Sequence, residues 1–245
     1  MPNIVISGAN EGIGYHMAKA LLEAGHSVAI LDVALSGAHA LVDAFPGKCL
    51  CIEADVRDGA SVERAVRMAA SSLGGIDAAV QNACLCPFES FAGSTDETFL
   101  PVYYVNFLGA VHLARATLPL LNPGGRMLFT SSGVGVTGFP SLSAYASTKG
   151  GIEALAKCLR LEYPQYSFHI LHPPLTRTRS SAPLPVPHKF MSTPDVVGRG
   201  LARCLFSRRF IICHIVSQRL QTLLCYLAPL RLGALMAMMT ARAGK

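Results

Sequence analysis

Short apolar runs alternate along this chain with stretches in which apolar residues recur every three or four positions. Asn3–Ser7 reads as a strand, followed by a glycine turn and a helix over about Tyr15–Ala24. His26–Leu31 is a second strand closed by Asp32, Ala38–Ala44 is helical, and Cys49–Ala54 is a third strand. A helix over Ala60–Ser72 precedes a fourth strand at Ala78–Gln81; helices follow at Thr95–Leu100 and Val102–Leu118. A fifth strand covers about Arg126–Thr130, a long helix carries Tyr145 and runs to about Leu161, and Phe168–Leu171 is a sixth strand. Pro194-Asp195 opens a helix to about Phe206, since proline suits a first helical position, and Phe210–Val216 suggests a seventh strand. Strand–helix alternation of this kind implies a parallel sheet with helices on both faces.

Two local patterns carry chemistry. The first turn reads Gly8-Ala-Asn10-Glu11-Gly12-Ile13-Gly14, between a strand and a helix. Glycines there let the backbone approach a pyrophosphate, whose charge suits a helix N-terminus. Asp32, at the end of the second strand, can accept both hydroxyls of an adenosine ribose and would repel a 2′-phosphate. Val33 follows it and Glu11 sits in the turn, so NAD is expected in preference to NADP. The second pattern is Tyr145-Ala-Ser-Thr-Lys149, which stacks a phenol and an ammonium one helical turn apart. A nearby cation favours the phenolate, and so predicts a tyrosine pKa below the ordinary value of about 10. Ser132 ends an apolar run, where a hydroxyl can come beside that phenol.

Composition narrows the alternatives. Apolar residues make up 51% of the 245 positions and charged residues 15%, enough for one large α/β unit. The net charge of +6 is concentrated in the last third, without interleaved aromatics, so nucleic acid is disfavoured as a partner and an anionic surface or substrate fits better. The eight cysteines include two Cys-x-Cys pairs but no Cys-x-x-Cys, so buried reduced thiols are expected and no metal. The opening MetProAsnIleValIleSerGly lacks the pattern of a secretory leader, and a cytoplasmic location is expected.

Read together, the Ser7-Gly8-x-x-x-Gly12-Ile13-Gly14 turn, Asp55-Val56, Asn82-Ala83, Asn106, Ser132, Tyr145, Lys149 and Pro173 resemble, in order and spacing, a single-domain short-chain dehydrogenase/reductase from about Asn3 to Cys213. The resemblance implies a Rossmann-like doubly wound sheet of about seven strands and hydride transfer between a nicotinamide and a carbonyl or alcohol. Tyr145 would give or take the proton, Ser132 would position the substrate oxygen, and Lys149 would bind the ribose and lower the tyrosine pKa. Asn106 would hold a water linking the lysine to solvent. Asn82, Ala83, Pro173, Thr176 and Thr178 would complete the cofactor site beside Asp55 and Val56. Taken one at a time, Asn106 could cap a helix kink, Ser132 could satisfy a strand end, and Asp55 could be a helix N-cap. A homo-dimer or homo-tetramer is expected, acting on an apolar ketone or secondary alcohol such as a steroid, a lipid or a polyketide-like compound.

Two positions depart from the family pattern. Cys84 stands where glycine is usual, adding a side chain and a cost if the backbone wants positive φ. Pro174 replaces a glycine and removes a backbone donor. They motivate the alternative of a nucleotide-binding or sensing protein without catalysis. The proline-rich stretch from Ser180 to Pro194 reads as a lid. Residues 1–218 form the expected catalytic domain and 219–245 an apolar tail. Burying Arg231 in a span would cost about 2.5–3.5 kcal/mol, so the tail is read as an interfacial helix at a membrane surface or as a subunit contact.

Overall fold

The computed structural model describes residues 1–243, so the last two positions of the apolar tail lie outside the described residues. Its first half alternates β1 (Asn3–Ser7), α1 (Gly12–Glu23), β2 (Ser27–Asp32), α2 (His39–Ala44), β3 (Cys49–Glu53), α3 (Gly59–Leu73) and β4 (Ile76–Gln81). The second half runs α4 (Asp96–Val102), a π-helical turn at Tyr103–Leu108, α5 (Gly109–Thr117), β5 (Leu121–Thr130), α6 (Gly133–Thr137), α7 (Ser143–Glu162) and β6 (Ser167–Leu171). It closes with α8 (Pro194–Cys204), β7 (Ile211–Ile212), α9 (Val216–Leu227) and α10 (Pro229–Ala243).

All pairings are parallel, in the order β3-β2-β1-β4-β5-β6-β7, which is the Rossmann-like arrangement. The chain reverses direction across the sheet between β1 and β4, so their carboxyl ends frame the crevice where ligands bind in open α/β sheets. Alternation within each strand builds both faces. Val5 and Ala79 enter the core on one side, while Ile4, Ile6, Ala78 and Val80 enter the other. The helices follow local chemistry as well. Asp58 caps α3 by accepting from the Ala60 N–H at 2.9 Å, Gly74 ends it in the left-handed region at φ 79°, and Val62, Ala65, Val66 and Ala69 form its buried stripe.

Differences from the periodicity lie mostly near the site. The strand expected over Phe210–Val216 pairs only at Ile211–Ile212, because the chain leaves the sheet edge and Val216 already opens α9. The single helix expected over Val102–Leu118 widens into the π-helical turn around Asn106. α6 had no signal of its own, since Gly-Val-Gly-Val-Thr is a poor helix former held by its neighbours. The boundary expected after residue 218 falls inside α9.

A buried polar cluster fixes α9 to the body of the protein. Glu153 of α7 accepts from Ser131 Oγ at 2.9 Å and from Tyr226 of α9 at 2.6 Å, and lies 2.9 Å from His172 Nε2. A carboxylate can only accept, so Nε2 carries the proton in this pair. The Gln218 side-chain amide also donates to the His172 carbonyl. Burial pushes the Glu153 pKa up, but hydrogen bonds from His172, Tyr226 and Ser131 outweigh it and hold the carboxyl below the usual range. Its contribution to stability is therefore complete above the unfolded carboxylate pKa of about 4.3 and is lost as pH falls through the lower folded value. Tyr226→Phe, which keeps the ring and deletes one bond to the charge, is expected to cost about 1.5–3 kcal/mol in urea unfolding at neutral pH. The difference from the unmodified protein should shrink on acidification; a constant difference from neutral pH to pH 3 would show that the charge of Glu153 is not involved.

Candidate active site

The site is assembled from the carboxyl ends of the strands. Gly8 follows β1 at φ 71°, and a Cβ there would fall 2.4 Å from the Ala83 Cα, so only glycine lets the β1 and β4 ends meet this closely. A Cβ on Gly14 would lie 2.3 Å from the Gly8 carbonyl oxygen, which keeps α1 tight against the turn. Asn82 locks the same corner: its side-chain amide donates to the Gly8 carbonyl at 2.6 Å. Asp32 accepts from the Asn10 N–H at 3.0 Å and from the Ala34 N–H at 3.3 Å, holding the turn to the end of β2. The Asn10 side chain in turn accepts from the Gly37 and Ala38 N–H groups.

These residues fit a dinucleotide. No side chain caps the start of α1 and its first turn carries no acid, so N–H groups beside Gly12, Ile13 and Gly14 are free to receive a pyrophosphate. Asp32 keeps acceptor capacity for ribose hydroxyls, and no Arg or Lys occurs between it and Lys48 to receive a 2′-phosphate. Asp55 sits just past β3 and is engaged by Arg57, whose Nη2 lies 2.6 Å from Oδ2; that guanidinium holds its carboxyl below the usual range. It is not the cap of α3, a role that Asp58 takes. Val56 is buried under Gly109 of α5.

A cavity of about 550 Å³ opens beside this crevice and gathers Ile13, Asn82, Ser132, Tyr145, Lys149, Pro173, Thr176 and Thr178 on its walls. Ser132 starts α6, but its hydroxyl is not spent as a cap and remains available toward Tyr145. Lys149 has no exposed surface; its Nζ donates to the Thr130 carbonyl at 2.7 Å and lies 5.5 Å from the centre of the Tyr145 ring. Burial, opposed by Cys84 and Cys86, lowers its pKa. Burial also pushes the Tyr145 pKa well above its ordinary value, Cys84 and Cys86 add to this, and the Ser132 side chain pulls the other way. Lys149 is not among the groups that shift the Tyr145 pKa in this structure. The ammonium is bound to a strand carbonyl and stands over the tyrosine ring.

Asn106 lies outside the cavity, buried behind it. Its side chain accepts from the Leu85 N–H at 2.7 Å and donates to the Leu85 carbonyl and to Thr148 Oγ1, while Thr148 donates to the Tyr145 carbonyl at 2.7 Å. It thus ties the Cys84–Cys86 segment to the helix that carries Tyr145 and Lys149. Cys84 and Cys86 line the cavity, and burial pushes the Cys86 thiol up to about 12. Among the described residues the only non-glycine with positive φ is Ser141, so Cys84 suffers no left-handed strain where glycine is usual. After β6, Thr176 Oγ1 donates to the Pro174 carbonyl at 2.7 Å. The segment from Ser180 to Phe190 lies over the cavity.

Residues that sequence reasoning missed come mainly from the C-terminal helices. Gln218, Thr222 and Cys225 of α9 and Met236, Met239 and Thr240 of α10 complete the cavity wall, next to His172. The only sequence signal was a group of polar positions from Ser217 to Thr222 ahead of an apolar stretch.

Comparison with known proteins agrees with this geometry. A family model for short chain dehydrogenases matches residues 2–186. The chain is 33% identical over 172 residues to the oxidoreductase UcpA of Salmonella typhimurium, covering 68% of this chain and 65% of that one. It is 29% identical over 167 residues to L-2,3-butanediol dehydrogenase of Corynebacterium glutamicum, covering 64% of each. The match thus spans just under two thirds of these relatives' length. Among solved structures, an alcohol dehydrogenase from Thermococcus sibiricus complexed with 5-hydroxy-NADP superposes with a TM-score of 0.79 at 27% identity, over 86% of this chain and 94% of that one. With the glycine turn, the parallel sheet and the serine, tyrosine and lysine on one cavity wall, the chain belongs to the short-chain dehydrogenase/reductase family of oxidoreductases.

Proposed function

We propose that this protein transfers a hydride between NAD(H) and an apolar ketone or secondary alcohol in the 550 Å³ cavity. The observation that carries the reading is the gathering of Ser132, Tyr145 and Lys149 on one wall of a cavity that adjoins an uncapped glycine-turn helix. The bound nicotinamide supplies or accepts the hydride. Ser132 orients the carbonyl oxygen with its free hydroxyl, and Tyr145 holds the proton that this oxygen takes up as negative charge develops. Burial raises the Tyr145 pKa, which favours the neutral phenol and so suits proton donation in carbonyl reduction. Lys149 keeps two donors beyond its bond to Thr130, and these would hold the ribose hydroxyls of the cofactor. Asn106 positions the Cys84–Cys86 wall; a water link from the lysine to solvent would run from its backbone carbonyl, since both amide hydrogens are used. Val134, Phe139, Leu142 and Leu184 give the cavity an apolar lining, which supports an apolar substrate. A nucleotide sensor without catalysis is the alternative that Cys84 and Pro174 suggest, and the positive-φ cost it invokes does not arise at Cys84.

Tyr145→Phe retains the ring and removes the proton, so kcat should fall by about 10²–10⁴ with NAD affinity little changed. Ser132→Ala should raise the activation free energy by about 2–4 kcal/mol, and Lys149→Ala should damage both cofactor binding and turnover. Near wild-type turnover by Tyr145→Phe would remove the tyrosine from the mechanism. The reduction rate of the unmodified protein should stay level through neutral pH and decline only in the alkaline range, where the phenol at last ionises.

Asp32 generates the cofactor prediction. The ratio of kcat/KM for NADH over NADPH should exceed one and should narrow in Asp32→Ala, because the carboxylate that repels a 2′-phosphate is gone. A preference for NADPH in the unmodified protein would contradict this assignment.

A further inference from the structure

α9 buries polar side chains while leaving large apolar ones in solvent. Its inward face carries Gln218, Thr222 and Cys225, all buried, whereas Val216, Leu220 and Leu227 are 76%, 60% and 70% exposed. The inward polarity has an intramolecular reason, since Gln218 reaches the His172 carbonyl and Tyr226 reaches Glu153. The outward leucines have none. α10, packed against α9, continues the face with Leu230 at 82% and Met239 at 60% exposed. So many large apolar side chains exposed on two adjoining helices point to a docking face.

The charge around this face selects the occupant. Asp195 is the last acidic residue of the chain, and every charged residue after it is basic. Arg219 of α9 and Arg231 of α10 are both exposed. A second copy docked through the same face would bring the basic residues of two tails together with no acidic residue of either tail to pair them, which is unfavourable once water is excluded. An anionic lipid surface instead receives both the leucines and the arginines. Spanning is not available: among the described residues no helix is long and apolar enough to cross a membrane, and the 15 residues of α10 reach only about 22 Å against a hydrocarbon core of about 30 Å.

The face is also continuous with the cavity. Met239 and Phe190, each 60% exposed, stand in the cavity wall as well, and Leu175 joins them. These residues mark an apolar rim around the cavity mouth, adjoining the surface formed by α9 and α10. We propose that the outer face of α9 and α10 docks on an anionic bilayer and lays the cavity mouth against the membrane interface. The assignment concerns a surface and stands whatever reaction the cavity performs.

Deleting the tail cannot test this cleanly, because α9 and α10 wall the cavity. Point variants on exposed positions serve instead, read by flotation of the full chain with vesicles. The unmodified protein should float with phosphatidylcholine–phosphatidylserine vesicles at low salt, and much less with phosphatidylcholine alone or at high salt. R219Q/R231Q should weaken partition on the order of thirtyfold, and L220Q/L227Q by about tenfold or more, with thermal unfolding unchanged in both. Failure of the unmodified protein to float, or equal flotation with neutral and anionic vesicles, overturns the proposal. So does light scattering in detergent-free buffer that shows an oligomer split by L220Q/L227Q, which would make the face a subunit contact.

Discussion

Lys149 carries an ammonium group to a point with no solvent exposure and holds one hydrogen bond there, to the Thr130 carbonyl. A buried cation with unspent donors is costly unless the surroundings compensate it. The compensation in this protein is partial: a tyrosine ring face at 5.5 Å, the Cys84 and Cys86 thiols near by, and no carboxylate within ion-pairing distance among the described residues. Much of the local architecture serves to keep that lysine in place. α7 is pinned to the end of β5 by its bond, Ser131 joins the same strand end to Glu153, and Asn106 and Thr148 brace the helix from behind. A site left short of hydrogen-bond acceptors around a fixed cation is suited to a hydroxyl-rich ligand, as a ribose is.

The same strand ends impose the second constraint. β1 and β4 approach so closely at Gly8 and Ala83 that no side chain fits between them, and the chain turns away in opposite directions from that corner. The crevice so formed places a helix N-terminus, an acidic strand end and the wall with Ser132, Tyr145 and Lys149 at the carboxyl ends of the strands. Replacement of a usual glycine by Cys84 is tolerated because the close approach is made at Gly8, not at Cys84.

The C-terminal helices change the picture of how the cavity is closed. Its far wall is not made by the lid segment alone but by α9 and α10, anchored through Glu153 and His172 to the core of the sheet. One cluster therefore links the stability of the fold to the shape of the substrate space. It also explains why α9 turns its polar residues inward, and so leaves its leucines outside.

Much of this was legible in the sequence. Alternating runs set the strands, the glycine turn set the first crossover, and Tyr145 and Lys149 announced themselves by one-turn spacing, because such patterns depend on residues close together in the chain. The family assignment rested on motifs that are each local. What could not be read was decided by contacts between distant segments. The phenol's elevated pKa depends on burial, which does not follow from a four-residue spacing. The Glu153 cluster unites residues from 131 to 226, none with a sequence signal of its own. The apolar tail looked like a segment apart, since hydropathy counts leucines but does not tell which face of a helix they occupy. Only the packing of α9 on the cavity, with Gln218 and Tyr226 finding buried partners, decided that its polar side is the inner one.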